Sequence, residues 1–145
     1  MTVHTSSRIV APLRALQVGA LAGVGGGIVF GLLMAVMGML PMVGMLIGQP
    51  NAIAGFAVHL AISAVIGAIY GWFIARYPTT TATALVGGIV NGVAWWVLGA
   101  LVLMPLLLGM TEMVFRLGRP QWISLAGHLI YGVVTALLYN SLIQR

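Results

Sequence analysis

Ala15–Gly48, ALQVGALAGVGGGIVFGLLMAVMGMLPMVGMLIG, contains no charged residue. At 1.5 Å per residue, ~20 apolar residues cross a ~30 Å hydrocarbon core. The stretch is longer than one span needs, so it must be broken, and Pro41 is the expected break. It divides into a first helix over 17–40 and an apolar segment, 41–55, that lies on the membrane surface or re-enters it. That segment holds Gln49, Pro50 and Asn51. The apolar run is too long for a cleaved signal peptide, and no small-residue cleavage site follows it.

Further along, apolar runs predict spans over 53–74, 83–106 and 122–142. Arg76-Tyr77-Pro78 with Thr79–Thr81 separates the second from the third. Glu112, Arg116, Arg119 and Pro120 mark the loop before the fourth. Composition agrees: 61% of the 145 residues are hydrophobic and 5% charged, with mean hydropathy +1.14. A soluble domain carries about a quarter charged residues, so a water-exposed globule is excluded. The expectation is one all-α domain, a polytopic four-helix bundle in the cell inner membrane.

The net charge of +5 comes from six arginines, scattered singly, against the lone acid Glu112. Without a basic patch, nucleic acid is not an expected partner. Arg8, Arg14, Arg76 and Arg145 fall on one side of the four-span arrangement, and Arg116 and Arg119 on the other. The positive-inside rule then puts both termini in the cytoplasm. The chain has no Cys and no Asp. That removes disulfides, thiolate metal sites, thiol nucleophiles and any Ser/His/Asp set, and one carboxylate cannot form an acid–base pair. A catalyst is not expected.

Two hairpins repeat each other over 23–74 and 84–142. Gly26-Gly27-Ile28-Val29-Phe30-Gly31 recurs as Gly87-Gly88-Ile89-Val90-Asn91-Gly92, and Gly38 matches Gly99 at the same offset. Leu40-Pro41 corresponds to Met104-Pro105 after a short insertion. His59-Leu60 matches His128-Leu129, and Tyr70 matches Tyr139. Two-helix units repeat in the same membrane orientation, so the pseudo-twofold axis runs along the membrane normal. Gly23, Gly27 and Gly31, Gly67 and Gly71, and Gly88 and Gly92 stand at steps of four, a spacing that lets helices approach closely in lipid.

Ionisable residues within spans are candidate functional residues, and here they are His59 and His128. Helical spacing aligns His59, Ser63, Ile66, Gly67 and Tyr70 on one face, and His128, Gly132, Thr135, Ala136 and Tyr139 on its counterpart. Met42, Met45, Met104 and Met110 belong to a methionine-rich side near both histidines. Three readings follow. The histidines can be structural, hydrogen-bonded to neighbouring helices. They can be the two axial ligands of a haem b, with glycine faces beside the ring and Arg116 or Arg119 near its propionates. Or His59, His128, Met42, Met45, Met104 and Met110 can hold copper or line a metal or solute path. Asn91, the one mid-span amide, is expected to hydrogen-bond across helices.

Leu103-Met104-Pro105-Leu106 and Ser124-Leu125-Ala126-Gly127-His128-Leu129-Ile130-Tyr131-Gly132, with Met37-Gly38-Met39-Leu40-Pro41-Met42, carry a family resemblance. The chain resembles an uncharacterised family of small prokaryotic four-helix membrane proteins, marked by Met-Pro and Gly-His-Leu-x-Tyr-Gly motifs. The resemblance covers most of 23–140 and implies a duplicated four-helix membrane domain. It brings no substrate, cofactor or reaction. The leading expectation is therefore a non-catalytic accessory or structural subunit of a larger membrane complex, a respiratory or electron-transfer one among them, or a homo-oligomer. The partners are lipid and other membrane subunits.

Overall fold

A computed structural model describes residues 10–145; Arg8, counted above for orientation, lies outside them. Four helical stretches are long and apolar enough to cross a membrane: Pro12–Val36, Ala52–Ile74, Thr81–Leu107 and Arg119–Ile143. The first is α1 (Pro12–Val36), followed by a short α2 (Leu40–Gly44), then α3 (Ala52–Ile74). The third span begins as α4 (Thr81–Trp95), continues through a π-helical segment (Trp96–Leu103) and ends as α5 (Met104–Leu107); α6 (Arg119–Ile143) closes the chain.

Starts follow ordinary capping chemistry. Pro12 and Pro120 sit in the first turns of α1 and α6, where a missing N–H costs nothing. The Asn51 side chain accepts from the Ala54 N–H at 2.9 Å, and Thr80 Oγ1 accepts from the Thr83 N–H at 3.1 Å. Ends depend on glycine. Gly38, at φ +68°, stops α1: its N–H donates to the Ala35 carbonyl (3.1 Å) and the Met39 N–H to the Met34 carbonyl (2.9 Å). That pair of bonds is a Schellman motif. Gly48 and Gly109, at φ +70° and +71°, close their turns in the same way. The break at the end of the first span thus belongs to Gly38 and comes earlier than expected. Pro41 instead sits in the first turn of α2.

Residues 41–55 fold back on the start of α3. The backbone of Leu40 lies where a Cβ on Gly55 would sit, and the carbonyls of Gln49 and Asn51 crowd Gly44 in the same way. Leu40 and Val43 are buried there. In the third span, Gly99 lies inside the π segment with open space beside it. The helix-ending glycine of that span is Gly109, so Gly38 and Gly99 do different jobs.

α1 packs against both α3 and α6, and α4 packs against α6, while α3 and α4 barely touch. Within each hairpin most of the glycines meet backbone, Gly27 and Gly31 meeting the Ser63 and Phe56 side chains instead. The Gly67 carbonyl lies over Gly19, the Ser63 carbonyl over Gly23, and the Ala15 carbonyl over Gly71. Gly88 faces the Gly132 carbonyl, and Gly92 the His128 carbonyl. Between hairpins the glycines mostly receive side chains: Phe30 on Gly127, Thr135 on Gly26, Leu138 on Gly25 and Ile74 on Gly87.

Candidate functional site

The polar face expected on α3 points inward. His59, Ser63, Gly67 and Tyr70 are all buried, as are Gly132, Thr135, Ala136 and Tyr139 on α6, with His128 half-buried. His59 Nε2 lies 3.0 Å from the Gly27 carbonyl of α1. A carbonyl only accepts, so this imidazole carries its proton on Nε2. His128 Nδ1 lies 2.8 Å from the Ser124 carbonyl one turn back in its own helix, and 3.4 Å from Ser124 Oγ. Its proton is therefore on Nδ1. The two histidines are opposite tautomers, one binding across helices and one within its own.

Between them stands Phe30. Its ring makes edge contacts with His59 (centroids 5.2 Å apart, interplanar angle 86°) and with His128 (5.0 Å, 65°). One ring touching both imidazoles places the histidines at one level of the bundle. Phe30 also presses on Gly127, where any Cβ would collide with it. Around it lie Met34, Leu40, Val43 and Tyr131, with Met39 and Met104 against the cluster.

A haem b between His59 and His128 requires a slot for the macrocycle, and an aromatic side chain fills that slot. Phe30, wedged on Gly127, stands between the two imidazoles in this structure. The methionines of the copper reading differ in their surroundings. Met104 packs into the Phe30 cluster, whereas Met42 and Met45 are about half exposed, at 45% and 49%. Met110 lies in the loop after α5. Among the described residues no three His, Cys, Asp or Glu side chains gather.

The tyrosines make further cross-helix bonds. Tyr70 donates to the Ala84 carbonyl of α4 at 2.9 Å, and Tyr139 to the Gly71 carbonyl of α3 at 3.2 Å. The two rings meet edge to face at 5.6 Å. Tyr131 donates to the Ser63 carbonyl at 2.7 Å, crossing from α6 to α3. Sequence reading made Tyr70, Tyr139 and Ser63 candidates, while Tyr131 entered only as part of the Gly-His-Leu-x-Tyr-Gly motif and Phe30 only within the first glycine run. Tyr131 had a signal, since it stands three residues after His128, on the same helical face. Phe30 had a weaker one: it is the position where the two glycine runs differ, being Asn91 in the second.

Asn91 departs from expectation, because its buried Nδ2 has no hydrogen-bond partner. Thr135 Oγ1 is also buried without one. Trp96, at the start of the π segment, reaches α6. Its indole donates to the Gln121 carbonyl at 2.9 Å and stacks near Trp122 (5.7 Å), level with the start of α6. The loop after α5 is held there too, by the Phe115 N–H on the Leu101 carbonyl (3.1 Å). No family model, curated protein or solved structure matches the chain.

Proposed function

We propose that this chain is a non-catalytic multi-pass protein of the cell inner membrane, a small accessory or structural subunit of a larger assembly. The observation that carries the reading is how its membrane-embedded polar groups are used. His59, Tyr70, Tyr131 and Tyr139 each bond a backbone carbonyl of another helix. Groups committed to carbonyls hold helices together, whereas transport or redox chemistry needs them turned toward a path or a cofactor. The hairpin duplication and the glycine seams fit the same reading, as two like units closed by small-residue contacts.

Apolar side chains cover the outside, Leu21, Leu32, Val65, Val86 and Val90 among them. Such faces suit lipid or the helices of other subunits. Extraction in mild detergent, followed by mass measurement of the particle, tests the role. The expected result is a stable particle well above the 15.2 kDa of the chain, containing other subunits or further copies. A solitary monomer under conditions that keep the fold intact would overturn it. An absorption scan of the same sample bears on the alternative: a Soret band abolished by His59→Ala with His128→Ala would replace the structural role with haem binding.

A further inference from the structure

Arg14, Arg76 and Arg145 line one open groove of about 1450 Å³, together with Trp72, Tyr77 and Thr79. It lies where the start of α1, the α3–α4 turn and the end of α6 converge. We propose that this groove binds the phosphate headgroup of an anionic phospholipid.

The argument begins with charge. The only carboxylate side chain in the sequence is Glu112, between α5 and α6, at the opposite end of the helices from the groove. Residues 1–9 contain no acid either. Three guanidinium groups therefore share a concavity to which the sequence contributes no acidic side chain. Basic pockets between membrane helices recognise anionic headgroups in this way.

Two of the arginines are braced. Arg76 stacks over Trp72 at 3.7 Å from the ring centroid and donates to the Trp72 carbonyl at 2.6 Å. Arg14 donates to the Ile143 carbonyl at 3.4 Å, joining α1 to α6. Each such bond uses one of five guanidinium donors, and the others stay open to a phosphate. Depth selects lipid over a soluble anion. Trp72 and Tyr77 are largely exposed at the end of a membrane-length helix, the position of an interfacial aromatic belt. A phosphate at that level belongs to a headgroup whose tails lie along the apolar flanks below.

The test compares the purified protein with phosphatidylglycerol, with phosphatidylcholine and with millimolar inorganic phosphate, using native mass spectrometry and thermal unfolding. Retained phosphatidylglycerol and a raised unfolding temperature are expected, with no such effect from phosphatidylcholine or inorganic phosphate. Affinity falls on the order of fivefold for each arginine removed. Arg14→Gln/Arg76→Gln/Arg145→Gln therefore loses the effect, and Arg116→Gln/Arg119→Gln keeps it. Should the triple variant fail to fold, Arg145→Gln alone must still weaken binding about fivefold. Equal binding of both lipids, or binding unchanged by Arg145→Gln, overturns the proposal. An effect reproduced by inorganic phosphate alone overturns the lipid as its source.

Discussion

At the scale of single residues, Tyr131 tests whether the polar face is a set of fasteners. Its hydroxyl donates at 2.7 Å to the Ser63 carbonyl, from one helix to another. Interhelical hydrogen bonds within membranes contribute about 0.6 kcal/mol on average, with about 1.7 at the top of the range. Tyr131→Phe should therefore lower unfolding free energy by about 1 kcal/mol in a detergent titration. Tyr77→Phe, at an exposed position, should change nothing, and equal effects of the two would mean that the hydroxyl bond has no measurable value. The histidines and tyrosines were legible as ionisable or polar groups on apolar faces. Phe30 was not, because an apolar residue in an apolar helix carries no mark of what lies opposite. Only a third helix, pressing Phe30 into the hollow at Gly127, turns it into the wedge between two imidazoles.

At the scale of elements, the glycine positions separate into those with backbone against them, those with a side chain and those with open space. An alanine Cβ at Gly67 would stand 2.5 Å from the Gly23 Cα and closer still to the Gly19 carbonyl. Nothing lies within 4 Å of the equivalent point at Gly99. Gly67→Ala should destabilise by about 2 kcal/mol, because α1 and α3 must move apart. Gly99→Ala should be neutral or stabilise by up to ~1 kcal/mol, from reduced backbone freedom. Thermal unfolding of the two variants checks this, and the reverse order would reject the close approach of α1 and α3. Steps of four in the sequence picked out the face on α3 but could not assign a partner to each glycine. The π segment was illegible for a related reason. Gly99 and the following Pro105 weaken an ordinary α-helix there without marking a wider turn. The Leu101 carbonyl, to which Pro105 has no N–H to donate, takes the Phe115 N–H instead.

For the whole molecule, charge-free runs of sufficient length revealed four spans, with ends displaced by a few residues where proline and glycine capping acts. The order of packing was hidden, because lipid-facing and buried side chains are equally apolar and no polar stripe distinguishes them. Three described arginines stand at the groove end against two at the other, and from that bias the positive-inside rule predicts cytoplasmic termini. The absence of cysteine makes this directly testable with single-cysteine variants in intact cells. A membrane-impermeant thiol reagent added outside should label Thr111→Cys and leave Thr80→Cys unlabelled; the opposite pattern would invert the molecule.

The two kinds of glycine contact also grade the molecule mechanically. Inside each hairpin, backbone rests on backbone at Gly19, Gly23, Gly67, Gly71, Gly88, Gly92 and Gly132, while Ser63 and Phe56 side chains fill the hollows at Gly27 and Gly31. Between hairpins, the wedge of Phe30 and the side chains of Thr135, Leu138 and Ile74 fill the glycine hollows, and a side chain can change rotamer. The seam joining the first hairpin to the second is thus the one whose glycine hollows are filled mostly by side chains. Small sliding displacements would be taken up along it, with each hairpin moving as a stiff leaf.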